Sequence, residues 1–182
     1  AAAFADYDDD GDPDLFVAND WGRKDLFRNR GDGTFEEVAE RFGLDIEDHT
    51  SSAVFADFDN DGDLDLFITT VNHHRYYLWR NNGRGHFAEA GDRFGAALAY
   101  GIPHFGFSAT FGDFNKDGFL DIHTTEWRPD GINPTDALSK SRLLRNLGLA
   151  NPGSFEDVTQ FAGVAVDFLD PFQVDGGRHA NE

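Results

Sequence analysis

No cysteine occurs in the 182 residues, so no disulfide holds this fold together. Basic side chains are scarce: 15 Lys and Arg stand against 34 Asp and Glu, a net charge of −19. That balance argues against nucleic acid and against anionic membrane surfaces as partners. No apolar run approaches the roughly 18 residues that a membrane-crossing helix needs, so no membrane span is expected. No leader segment is visible; if the protein is exported, the signal lies upstream of Ala1. A long 3.6-residue periodicity is also missing, which argues against a helical solenoid. The hydrophobic share of 40%, with 19 Phe, is enough to build a packed interior.

The acidic residues are not spread evenly. A nine-residue pattern recurs three times: DYDDDGDPD at 6–14, DFDNDGDLD at 57–65 and DFNKDGFLD at 113–121. Positions 1, 3 and 5 are Asp6, Asp8 and Asp10, then Asp57, Asp59 and Asp61, then Asp113, Asn115 and Asp117. A tight loop turns these side chains onto one small sphere. Gly11, Gly62 and Gly118 at position 6 permit the positive φ of a sharp turn. Position 7 (Asp12, Asp63, Phe119) offers its backbone carbonyl, leaving its side chain free to vary. Position 9 (Asp14, Asp65, Asp121) closes the sphere from the start of the next strand. Position 4 varies as Asp9, Asn60 and Lys116, as a solvent-facing side chain would.

Calcium takes roughly 6–8 oxygen ligands at about 2.3–2.6 Å, and this pattern supplies oxygens at that density. Without a cation, two like charges 4 Å apart repel by roughly 4 kcal/mol at an effective dielectric of about 20. Up to three Ca²⁺ are therefore expected, one per repeat, the third weakest because Asn115 is neutral. The plain alternative is three acidic surface turns with no ion, but such turns need no common register. An EF-hand would place Glu at position 12 between helices. Val17, Ile68 and Thr124 stand there instead, and the flanks read as short strands.

Other features keep the same beat of roughly 50 residues. A short apolar strand precedes each loop and another follows it. A third strand ends in Arg-Asn at 28–29, 80–81 and 145–146. A glycine-rich turn comes next, and a fourth strand opens on Phe35, Phe87 or Phe155. Four short antiparallel strands per repeat describe a propeller blade, in an all-β fold. Leu66, Phe67 and Ile68 are apolar in succession, as expected of a strand covered on both faces.

At these residues the chain resembles the FG-GAP/VCBS repeats, the calcium-loop blades of integrin-α-like β-propellers. FGFSATFGDFNKDGFLDI at 105–122 is close to the FG-GAP consensus. ADYDDDGDPDLFVAN and RNRGDGTFEEVAERFGL in the first repeat resemble the bacterial secreted variety, including ASPIC/UnbV-type proteins. In that family the metal loop joins strands one and two of a blade, which implies ligand roles for all three loops. The expected organisation is one propeller segment over 1–182, with repeats at about 1–48, 49–103 and 104–178, and 179–182 opening a further repeat. Propellers close with about 4–8 blades, so the segment is expected to belong to a larger propeller or to close by association.

Calcium sites of about 10⁻⁴–10⁻³ M work where calcium is abundant. This points to an extracellular, cell-surface or periplasmic setting. The calcium loops and the glycine turns share one blade face. The opposite face receives Trp21 and Arg23, then His73, His74 and Arg75, then Trp127 and Arg128 in the insertion at 126–140. His49, His104 and His179 lie at similar places between blades. They are either a transition-metal or anion site at the channel mouth, or recurrent turn hydrogen bonds, the reading we favour. No nucleophile constellation stands out, and no catalytic residue is assigned. The expected function is a calcium-stabilised, non-catalytic module that binds a protein or glycan through the face opposite the metals. Part of a secreted enzyme and a structural subunit of an extracellular assembly are the alternatives.

Overall fold

The computed structural model describes residues 1–44, 46–99, 101, 103–127 and 141–164. Arg128 and His179, and with them most of the 126–140 insertion and the start of any further repeat, lie outside these residues. Each acidic loop turns the chain from one strand into the next as an antiparallel hairpin. In the first repeat, β1 (Ala2–Ala5), β2 (Asp14–Val17), β3 (Asp25–Asn29) and β4 (Phe35–Glu37) pair in that order. The second repeat gives β5 (Thr50–Ala56), β6 (Asp65–His73), β7 (Tyr77–Asn81) and β8 (Phe87–Glu89). The third gives β9 (His104–Gly112), β10 (Asp121–Glu126), β11 (Arg142–Asn146) and β12 (Phe155–Asp157). All neighbouring strands within a repeat are antiparallel. The architecture is all-β, in three four-stranded blades.

Two features go beyond the sequence reading. The fourth strands are short. The segments after β4 and β8 turn into single helical turns, α1 (Ala39–Phe42) and α2 (Gly91–Phe94), rather than continuing as strand. Each ends on a glycine in the left-handed region, Gly43 and Gly95. In addition, blades 2 and 3 are not separate sheets. The end of β6 runs past β7 and pairs with the start of β9, Val71 opposite Phe105 and His73 opposite His104. At the matching place between blades 1 and 2, the described residues show one isolated bridge, Arg23 opposite Glu47.

The cores lie between blades. Leu66 and Ile68 face Phe16 and Leu26 of blade 1, whereas Phe67 on the same strand faces Ile122 and Leu144 of blade 3. All three β6 side chains are fully buried, as their succession predicts. Burying a side chain of this size stabilises by about 1.5–3 kcal/mol, so packing between blades is the main adhesive of the array.

The blades are also pinned by buried polar groups. Lys24 is buried, and its ammonium donates to the carbonyls of Asn19 (2.7 Å), Gly22 (2.8 Å) and Asp48, tying blade 1 to the strand that enters blade 2. Burial pulls its pKa below the usual lysine value. At the next junction Tyr76 donates to Glu126 (2.6 Å), which also meets His104 Nδ1 (2.8 Å). The other ring nitrogen of His104 lies 2.7 Å from the Leu98 carbonyl.

Candidate metal centres

The three loops share one hydrogen-bond plan. The position-1 carboxylate accepts from the amides of positions 5 and 6: Asp6 from Asp10 (3.1 Å) and Gly11 (2.9 Å), Asp57 from Asp61 (3.1 Å) and Gly62 (3.0 Å), Asp113 from Asp117 (3.0 Å) and Gly118 (2.9 Å). Asp10 and Asp61 accept from the amides of Asp12 and Asp63 (both 3.1 Å), and Asp117 from that of Phe119 (2.9 Å). The position-9 residues Asp14, Asp65 and Asp121 are buried, and each accepts the amide that ends the third strand, from Asn29, Asn81 and Asn146 (all 2.8 Å). Each also accepts the position-2 amide, from Tyr7, Phe58 or Phe114. The loops are thus shaped by their own backbone, and position 9 locks the loop to its sheet.

The glycines at position 6 take φ of 93°, 97° and 88° as expected. Position 4 is also left-handed, at 58° in Asp9, 57° in Asn60 and 63° in Lys116. Asp and Asn accept that region more readily than Lys, a constraint that exposure alone did not reveal. Position 7 is less free than its backbone role suggests. Its side chain lies against the glycine after the third strand: a Cβ on Gly31 or Gly83 would sit 2.6 Å from Asp12 or Asp63 Oδ2, and one on Gly148 3.2 Å from the Phe119 ring.

Oxygens of Asp6, Asp8 and Asp14 all lie within 4.8 Å of one another, as do those of Asp57, Asp59 and Asp61. Inside these groups Asp8 Oδ1 and Asp59 Oδ1 are buried and accept no hydrogen bond. The Asp59 side chain is only 6% exposed. A desolvated carboxylate oxygen without a donor is costly, and a hard cation satisfies it. The donor set therefore fits calcium in the first two loops. In the third, Asn115 Nδ2 donates to Asp117 Oδ2 (2.8 Å), so the neutral position-3 residue meets its neighbour directly.

Arginines complete the electrostatics, a role the sequence reading missed although it noted the Arg-Asn pairs. Arg28 Nε lies 2.8 Å from Asp8 Oδ2 and its NH2 3.1 Å from Asp10 Oδ2. Arg80 bridges Asp59 (2.6 Å) and Asp61 (2.7 Å) in the same way. Arg145, facing the loop with Asn115, pairs with Glu156 instead. The charge at position 3 was the signal available in the sequence. Burial still raises the pKa of Asp8, Asp59 and Asp121, and pushes Asp14 up to about 6 and Asp65 up to about 8. Two backbone amides pull Asp14 and Asp65 the other way.

On the opposite face, Trp21 and Trp127 are exposed. The His49 ring lies 3.8 Å from the Trp21 ring, and its Nδ1 3.9 Å from Asp20. His73 is 3.3 Å from Asp48 and stacks on Tyr77, while Arg75 bridges Glu89 (2.7 Å) and Asp92 (2.8 Å). His49 and His104 have different surroundings: one is half-exposed beside a tryptophan, the other sealed between blades.

A family model described as FG-GAP-like repeat matches residues 6–68 and again 57–124. Cartilage acidic protein 1 of Xenopus tropicalis is 32% identical over 112 residues, which is 60% of this chain and 16% of that protein. The protein of the same name from Homo sapiens is 33% identical over 112 residues, with the same shares. The chain thus spans under a fifth of the length of the curated relatives it matches. Among solved structures, that of an Agrocybe aegerita lectin, described as recognising non-reducing terminal N-acetylglucosamine, aligns with a TM-score of 0.48 at 21% identity, covering 86% of this chain and 37% of that one. Both family-model matches contain whole acidic loops, and together they take in residues 6–124 of 182, so this chain belongs to the FG-GAP-like repeat family.

Proposed function

We propose that this chain is a calcium-stabilised, non-catalytic β-propeller module that binds a protein or glycan partner through the face opposite its acidic loops. The orphaned Oδ1 atoms of Asp8 and Asp59, each set among other carboxylates, carry the calcium part. Asp6, Asp8, Asp10 and Asp14 hold the first ion, and Asp57, Asp59, Asp61 and Asp65 the second. Asp113, Asn115, Asp117 and Asp121 hold the third and weakest, with carbonyls of Asp12, Asp63 and Phe119 contributing. The ion does no chemistry; it offsets the charge that each blade gathers at its inner hairpin. Such sites suit a setting outside the cell, at its surface or in the periplasm, where calcium is abundant.

The partner face rests on Trp21 and Trp127. Both stand exposed, Trp21 in the connection after β2 and Trp127 directly after β10, and both strands run away from the acidic loops. Tryptophan is a usual anchor of interfaces, and its flat ring suits the apolar face of a sugar as well as a protein side chain. Trp21→Ala and Trp127→Ala, tested on a glycan array and against extracellular-matrix proteins, are expected to lower binding without lowering the melting temperature. Unchanged binding in both variants would contradict the use of this face.

A further inference from the structure

At each internal junction one side chain ties the acidic loops of two neighbouring blades together. Asn81 ends β7. Its backbone amide donates to Asp65 at position 9 of the second loop (2.8 Å), and its Nδ2 to the position-8 carbonyl of that loop, Leu64 (3.1 Å). The same Nδ2 donates to the Tyr7 carbonyl, position 2 of the first loop (2.7 Å). Asn146 repeats the plan between the second and third loops. Its amide reaches Asp121 (2.8 Å), and its Nδ2 reaches Leu120 (3.1 Å) and Phe58 (2.8 Å). Both asparagines are buried, so breaking either clamp leaves polar groups without a partner.

Packing follows the same line. A Cβ on Gly85 would lie 2.7 Å from the Tyr7 ring, and one on Gly153 2.6 Å from Phe58 and 2.9 Å from the Cβ of Asp59. The first residue of the fourth strand rests there too, Phe87 on Tyr7 (5.7 Å) and Phe155 on Phe58 (5.9 Å). At the second junction the loops also touch directly: Asn60 Nδ2 at position 4 donates to the Gly118 carbonyl of the third loop (3.0 Å). Position 2 lies between the carboxylates of positions 1 and 3. Drawing those two onto an ion holds position 2 still, and with it the asparagine that orients position 9 of the next loop.

We infer that the calcium sites of neighbouring blades bind cooperatively, an ion in one loop raising the affinity of the next through Asn81 and Asn146. This rests on the calcium reading above and adds the regulation of those sites. Each loop has to be ordered against the repulsion of its own carboxylates. The first ion does part of that ordering for the second, which then binds at lower cost. The coupling is reciprocal, so either loop helps the other. Repulsion between the two ions opposes it, and salt at 0.15 M screens that repulsion over about 8 Å.

The test is calorimetric titration of calcium into three full-length variants in 0.15 M salt. Asp117→Ala leaves the first and second sites. Adding Asp59→Ala leaves the first alone, and adding Asp8→Ala instead leaves the second alone. The two-ion binding constant of the Asp117→Ala chain is expected to exceed the product of the two single-site constants by about fivefold or more. Asn81→Ala placed in all three chains is expected to bring that ratio to near unity. Should Asn81→Ala fail to fold, amide exchange decides instead. In the chain with only the first site, calcium is expected to slow exchange in peptide 57–65, which no longer holds an ion of its own. A ratio at or below unity overturns the inference while leaving the calcium reading intact. So does a ratio that folded Asn81→Ala leaves unchanged, or exchange in 57–65 that calcium does not slow. Chains that bind no calcium at all overturn both.

Discussion

Asp59→Ala separates the metal role of the loops from their role as turns. In the metal-free chain the substitution removes a carboxylate with one bridged oxygen, held by Arg80 at 2.6 Å, and one orphaned oxygen. Arg80 keeps its contact with Asp61 at 2.7 Å, and the amide bonds to Asp57 and Asp65 do not involve residue 59. Losing the Arg80 contact and losing the cost of a buried, unpartnered oxygen oppose each other, so the metal-free melting temperature is expected to move little. With calcium at a hundredfold excess over Kd, one site adds about 2.7 kcal/mol. At about 2–4 °C per kcal/mol for a chain of this length, losing the second site shrinks the calcium-induced rise in melting temperature by about 5–10 °C. Scanning calorimetry in EDTA and in calcium gives both numbers. An equal calcium-induced rise in the parent and the variant would refute the ligand assignment.

Arg80→Gln removes the internal counter-charge, so the metal-free melting temperature is expected to fall while the calcium-induced rise grows; equal losses with and without calcium would make Arg80 a packing residue only. Gly153→Ala puts a Cβ 2.6 Å from the Phe58 ring at a φ of +75°, and is expected to destabilise by about 1–3 kcal/mol in a denaturant melt. Asp65 stands at about 8 in the metal-free fold, above the ordinary value of about 3.9, so the folded state holds its proton more tightly than the unfolded. Its contribution to metal-free stability is complete below about pH 4 and is lost as pH rises through about 8. The same proton must leave before calcium binds. Calcium affinity measured by titration calorimetry is therefore expected to be weaker at pH 6 than at pH 8, and equal affinities would contradict the coupling.

Much of the fold was legible because the pattern repeats. The loops, the paired strands around them and the buried succession Leu66, Phe67 and Ile68 all follow from spacing and strand chemistry. What escaped were contacts between residues that no short motif links. Lys24 reads as a surface cation in its polar loop, yet three carbonyls from two neighbouring segments surround it. Arg28 and Arg80 lie far from their loops in sequence, and only the strand pairing brings them onto positions 3 and 5. His49 and His104 look equivalent in register, but β6 runs past its blade only at the second junction, which seals one and leaves the other beside Trp21.

A crystal structure determined from millimolar calcium chloride decides whether an ion sits among these carboxylates. An ion within about 2.3–2.6 Å of Asp8 Oδ1 in the first loop, and of Asp59 Oδ1 in the second, is the expected result. First and second loops held only by Arg28 and Arg80, with no ion density at that calcium concentration, would contradict it.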